Sequence, residues 1–335
     1  MPATSYSAAP DGYQRARLHV VSGKGGTGKS TVAGALAIAL ATGGRNVLLV
    51  EVEGRQGIAQ LFDTPPLPYG EQRIAGAPGG GTIYALAIDP EAAMLEYLEM
   101  FYNIKRGGAV LKRVGAVDFA TTVAPGLRDV LLTGKTGESV RRKSGGRFVY
   151  DAVVLDAPPT GRIARFLTAN HEAAELARVG PIRNQADTVM NVFRSEQTAV
   201  HLVTLLEEMP VQETIEGVTD LRLHNLPVGA VVINMSRPPL VSDEEEHDLA
   251  VMTDEQFAQS LHRAGLSWVA EDAAAMAGLR AEHADYATRR QLEEEERAKL
   301  DVMQCPQLEL PYAPDGVDVG TLYEMAEVLA AQGVR

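Results

Sequence analysis

The chain has 335 residues, 45% of them hydrophobic, and a formal net charge of −13. That length can bury a sizeable core as one large α/β domain or as two domains. The negative charge argues against a non-specific nucleic-acid binder and against a polybasic membrane anchor, since both need a basic face.

Residues 1–16 are polar and lack the apolar run of a signal peptide. They are expected to form a flexible tail ahead of a single domain spanning 17–335. No stretch approaches the ~18 uninterrupted apolar residues of a spanning helix, so the protein is expected to be cytoplasmic, soluble and not membrane-embedded. Cys305 is the one cysteine. An intrachain disulfide and a Cys-x-x-Cys zinc pair are therefore excluded, and no zinc is expected.

After the tail, β-branched runs alternate with helical patterns. Strands are predicted at Leu18–Ser22, Asn46–Val52, Ile83–Ile88, Val149–Leu155, Val200–Leu205, Ala230–Ile233 and Leu308–Leu310. Most are continuous apolar runs, as suits strands covered on both faces. The expected fold class is α/β, a doubly wound, mostly parallel sheet. Helical insertions at about 89–146 and 242–300 are expected to form a helical subdomain. The first carries Met94, Leu95, Leu98, Phe101 and Tyr102 at spacings that line one helix face. The second carries the charged runs DEEEHD and LEEEERAKLD, read as solvated helix faces. Gly76–Gly81 reads as a flexible loop.

The stretch Gly23-Lys24-Gly25-Gly26-Thr27-Gly28-Lys29-Ser30 fits the phosphate-loop pattern G-x-x-x-x-G-K-[ST] at every fixed position. An apolar strand precedes it and a helix-forming run follows. Glycines let the backbone turn tightly and aim N–H groups at phosphate oxygens, and the helix start adds its positive dipole end. This assigns ATP/ADP as ligand, with Lys29 on the β- and γ-phosphates, Ser30 on Mg²⁺ and Thr31 near the α-phosphate. Asp156 ends an apolar strand, where ligands of open α/β sheets gather, and is the candidate second ligand for the Mg²⁺ shell. Pro158-Pro159-Thr160-Gly161 follows as a stiff turn suited to sensing the γ-phosphate. Glu51 and Glu53 end another strand. Because a buried unpaired carboxylate is costly, at least one should face the cleft and orient the attacking water. Strand alternation places the two on the same side, and sequence barely separates them.

These residues resemble a known family. KGGTGKST is similar to the deviant Walker A signature shared by arsenite-pump ATPases, the guided-entry ATPases that target tail-anchored proteins, and the partition ATPases. DAPPTGRIARFL resembles the switch II of the first two groups, with Arg162 in place of a histidine. Ala124–Val140 resembles the PGxxE segment preceding switch II, and HLVTLLEEMPVQET resembles a strand ending in a Glu-Thr pair, here Glu213-Thr214. The resemblance implies a homodimer, or a heterodimer with a similar subunit as in a bacterial branch with paired ArsA-like chains. It implies that Lys24 reaches the partner's nucleotide, that Asn234 lies against adenine, and that Pro311 and Tyr312 border the base. It implies an ATPase whose cycle opens and closes the dimer, coupled to a hydrophobic client protein. Switch I departs from the family's DPAH, reading Glu53-Gly54-Arg55-Gln56; this predicts hydrolysis that is slow or depends on a partner's site. The alternative is a non-hydrolysing nucleotide-binding scaffold subunit. The metalloid-binding cysteines of the arsenite pumps are missing.

Overall fold

The computed structural model of the protein describes residues 15–102, 126–176 and 181–334. The chain divides into two compact units: residues 1–205, 209–236 and 304–335 form one, and residues 206–208 with 237–303 form the other.

The first unit is built on an eight-stranded sheet. Its strands are β1 (Leu18–Gly23), β2 (Asn46–Glu51), β3 (Gln72–Ala77), β4 (Gly81–Ala87), β7 (Ala152–Asp156), β8 (Thr198–Thr204), β9 (Val228–Ser236) and β10 (Gln307–Pro311). The order across the sheet is β10-β9-β8-β1-β7-β2-β4-β3. All neighbours run parallel except β3, which is antiparallel to β4 at the edge. β1 lies centrally, and the chain leaves it for β2 on one side but later fills β8, β9 and β10 on the other. That reversal of direction opens a crevice at the carboxyl ends of the strands. A separate two-stranded hairpin pairs β5 (Lys143–Ser144) with β6 (Arg147–Phe148).

Helix α1 (Lys29–Ala41) follows β1, and every residue from Val32 to Ala41 is buried. A helix that is apolar all round is stable only inside a core, and α1 packs there with Leu322, Met325 and Leu329 of the C-terminal helix. Between β2 and β3 lies the short α2 (Gly57–Leu61). Around the 89–146 region, α3 (Pro90–Tyr102) and α4 (Leu127–Arg141) are helical as expected. Met94 and Leu95 are half-buried; the side chains of Leu98, Phe101 and Tyr102 lie outside the described residues. Helices α5 (Thr160–Leu176) and α6 (Pro181–Phe193) follow β7, and α7 (Glu208–Leu223) follows β8.

Four details differ from the sequence reading. The strand expected from Val149 begins at Ala152, because Val149 N–H is taken by Arg142 O as the hairpin closes. Gly76 and Ala77 belong to β3 and Gly81 to β4, so the expected loop there is a tight edge hairpin. Ala16, assigned to the tail, is buried, and its carbonyl accepts from His19 Nε2 at 3.2 Å. The second strand stops at Glu51, so Glu53 lies beyond the alternation that was expected to pair it with Glu51.

One polar feature crosses the core. His19 on β1 and His201 on β8 stack nearly parallel, ring centroids 5.4 Å apart, both fully buried. Ala230 N–H donates to His201 Nδ1, so that nitrogen is the acceptor, and His201 Nε2–H donates to His19 Nδ1, each at 3.1 Å. His19 Nε2–H then donates to Ala16 O. The run of donors fixes both tautomers and keeps both rings neutral. Burial pushes His19 down to about 4; its bond to Ala16 opposes this and Arg45 adds to it. Burial, then His19, pushes His201 well below the ordinary histidine range.

The second unit is helical: α8 (Asp243–Val251), α9 (Asp254–Arg263), α10 (Ser267–Ala270) and α11 (Ala273–Asp301). Three of these helices start on side-chain caps, and the short α10 does not. Ser242 with Glu245 and Thr253 with Gln256 form reciprocal capping boxes, and Asp272 accepts from Ala274 and Ala275 N–H. The last helix of the first unit, α12 (Val319–Ala331), is capped in the same way by Asp318.

Candidate functional site

The loop between β1 and α1 is held by close approaches that only glycine permits. A Cβ on Gly23 would lie 2.3 Å from Val203 O, and one on Gly28, which has φ 85°, would lie 2.4 Å from Asn234 Nδ2. Thr27 Oγ1 donates to Lys24 O at 2.9 Å, and Asn234 Nδ2 donates to Thr27 O at 2.9 Å. Gly25 and Gly26 are exposed, with open space on their Cβ side.

Helix α1 begins at Lys29 on Gly28, with no side-chain cap and no acidic residue in its first turn. Its first backbone N–H groups therefore lack a side-chain acceptor, the arrangement that favours an anion. Among the described residues, Lys29 Nζ makes a long 3.4 Å contact to Lys24 O. Ser30 Oγ donates to Asp156 Oδ2 at 2.6 Å, so the two predicted magnesium ligands are already adjacent. Thr31 sits half-buried in the same turn.

Asp156 ends β7, in register with Val21 of β1 and Glu51 of β2. Burial pushes its carboxyl up to about 6; the Ser30 hydrogen bond and Lys29 oppose this, while Glu51 and Glu53 add to it. A buried acid of this kind gains from a nearby cation, which fits a magnesium site.

The structure separates the two glutamates. Glu51 is buried, and its carboxylate accepts from Gln56 N–H at 2.5 Å and Ile58 N–H at 3.1 Å. It holds the turn that starts α2. Glu53 is half-buried and 3.8 Å from Arg55 Nε. Of the pair, Glu53 is the one whose oxygens are not committed to backbone donors.

Lys24 is tied within its own chain. Its Nζ lies 2.6 Å from Glu213 Oε1 of α7, both side chains about one-third exposed. On the other side of β1, Ser22 Oγ donates to Pro158 O at 2.6 Å, joining switch II to the foot of the loop. Thr160 Oγ1 is buried with no hydrogen-bond partner among the described residues.

Asn234 on β9 is 3% exposed. Its Nδ2 is used by Thr27, but its Oδ1 is buried without a partner among the described residues. An orphaned buried acceptor is costly unless a donor arrives, and an adenine amino group is such a donor. Pro311 pairs in register with Ser236, and Tyr312 N–H donates to Ser236 O at 2.8 Å. Pro311 and Tyr312 thus stand beside the strand end that carries Asn234. Sequence reasoning missed Met235, whose left-handed backbone (φ 56°) and partial exposure place it at that same end, its Cε near Gly28. It placed the Glu213-Thr214 pair at the end of a strand, whereas β8 stops at Thr204 and Glu213 lies on α7; the sequence gives no local signal that its partner is a lysine 189 positions away.

Comparison with known proteins gives the family. Residues 16–195 match the family described as Anion-transporting ATPase. The ATPase BagA of Mycobacterium tuberculosis is 55% identical over 322 residues, which are 95% of this chain and 94% of that protein. The arsenical pump-driving ATPase of Acidiphilium multivorum is 27% identical over 285 residues, 75% of this chain and 45% of that protein. The ATPase get3 of Schizosaccharomyces japonicus is 28% identical over 186 residues, 53% of each chain.

Proposed function

The chain belongs to the anion-transporting ATPase family, and on that premise we propose that it is a Mg²⁺-dependent ATPase working as a dimer. The observation that carries this reading is the open start of α1, where Lys29 and the Ser30–Asp156 pair converge on one anion-binding turn. Lys29 neutralises the β- and γ-phosphates, Ser30 and Asp156 hold the cation, and the N–H groups from Gly25 to Thr31 line the phosphates. Magnesium would supply charge neutralisation at the transferred phosphoryl group. Glu53 orients the attacking water, and Asn234 reads the base between Pro311 and Tyr312.

Lys24 acts on the nucleotide of a second subunit, a twin or a similar chain, after leaving Glu213. The helical unit at 237–303 and the 89–146 region are insertions in one ATPase domain, and the closing dimer reshapes them for a hydrophobic client. No described helix is long and apolar enough to cross a membrane; a cytoplasmic location is part of the same proposal. Phosphate release by the full chain with Mg·ATP tests the reading. It fails if Lys29→Ala turns over as fast as wild type. Native mass spectrometry of Lys24→Ala with ATP tests the trans lysine; unchanged dimer population and turnover reject it.

A non-hydrolysing scaffold is the second reading. Glu53 in place of the family's switch I aspartate and Arg162 in place of its switch II histidine favour it. A wild-type rate equal to that of Lys29→Ala, with ADP still bound, would establish it.

A further inference from the structure

Beside the nucleotide loop lies a cavity of about 160 Å³ walled by Arg55, Arg128 and Arg162, with Glu53, Asp129 and Pro158. Its walls come from switch I, switch II and the first turn of α4. Pro158 ties it to the nucleotide loop through the Ser22 hydroxyl.

The arginines are loosely engaged. Arg55 Nε is 3.8 Å from Glu53 and Arg162 Nη2 is 3.9 Å from Asp129, both beyond hydrogen-bond reach; Arg128 Nη2 makes a long 3.4 Å contact to Val52 O. Arg142, in the same unit, shows what a committed guanidinium looks like: it donates to Glu138 at 2.6 and 2.8 Å and to Glu71 at 2.6 Å. Each guanidinium carries five N–H donors in a fork matched to phosphate oxygens. Three arginines against two carboxylates leave the cavity net positive in a chain of charge −13. Burial pushes the Asp129 carboxyl up, while Arg162, Arg128 and Arg165 oppose this by favouring negative charge in the cavity. Helix α4 opens on Gly126 (φ 89°) with no side-chain cap, so its positive end adds to the same field.

We propose that this cavity is a second anion site, which takes the orthophosphate leaving the nucleotide loop and holds it between the two switch segments. The proposal rests on the ATPase reading for the source of its ligand. Arg128 and Arg162 supply the forked donors from α4 and switch II, and Arg55 covers the solvent side. While phosphate stays there, both switch segments are clamped to the start of α4.

Calorimetric titration of the full chain with inorganic phosphate tests this, on wild type, Lys29→Ala and the double variant Arg128→Gln/Arg162→Gln. Lys29→Ala, which weakens phosphate binding at the nucleotide loop, is expected to keep the binding event of this cavity. The double variant should bind phosphate there about tenfold or more weakly, the scale of losing charged hydrogen bonds. All three arginines are exposed, and retained ADP binding reports that the double variant is folded. Phosphate binding lost in Lys29→Ala but kept in the double variant would overturn the proposal, as would no binding to wild type. A parallel titration with Mg·ADP judges the ATPase reading separately: failure there, with the phosphate result intact, removes the ligand's source and leaves the anion site standing.

Discussion

Helices α8, α9 and α11 of the 237–303 unit and helix α1 of the sheet unit start in opposite ways. Ser242, Thr253 and Asp272 close the helix starts of the former with their own side chains. Helix α1 starts on a left-handed glycine with its N–H groups open, as does α4. Burial is opposite too: α1 is buried from Val32 onward, whereas the 29-residue α11 buries only Glu296 and Leu300. Local chemistry thus specifies the helical unit, while burial specifies α1 and frees its first turn for a ligand. A helix that does not need its own cap to form can offer that end to something else.

The sharpest test of the comparison is a pair of truncations, one buried and one exposed. Phe193→Ala, at a fully buried position of α6, should cost about 3–5 kcal/mol. Leu292→Ala on α11, 55% exposed, should stay within about 0.5 kcal/mol. Urea unfolding measures both, and similar losses would erase the distinction. Next comes function. Lys29→Ala should lower turnover about 10²–10³-fold, the scale of removing a charge-stabilising donor, in a phosphate-release assay. Trp268→Ala in the helical unit should change it less than about twofold, within surface-substitution effects.

The histidine pair separates the units by pH. Both rings are neutral in the fold, so below about 6.5 the unfolded chain binds more protons than the folded one. Stability is full above that value and falls as the pH drops, with the His19 share exhausted near 4. That share is on the order of 3 kcal/mol. Thermal melts between pH 7 and 4.5 should show it, and a flat profile would reject the neutral pair. The smallest expected effect is at the caps. Thr253→Ala should lower the stability of α9 by about 1 kcal/mol, read by amide exchange in that helix with the sheet strands unaffected.

Much of the sheet was legible because β1, β2, β7, β8 and β9 are apolar runs flanked by turn residues. The edge strand β3 was not, since Gln72–Ala77 holds a glycine and little β-branching, and pairing with β4 makes it a strand. The phosphate loop, Ser30 and Asp156 were legible as spacing and strand-end position. The division of labour between Glu51 and Glu53 was not, because it depends on where the chain reverses after β2 and presents Gln56 and Ile58 N–H groups. The Lys24–Glu213 and Asn234–Thr27 contacts join residues 189 and 207 positions apart, beyond any local pattern.

The chain has a single tryptophan, Trp268, on the short helix α10, and 71% of it is exposed. Every quantum of indole emission therefore originates in the helical unit. The native spectrum should already be that of a water-bathed indole, open to iodide quenching. Denaturation of the sheet would pass almost unseen at that wavelength. Any blue shift of that indole emission on adding a second component would mean that this small patch of surface had become covered.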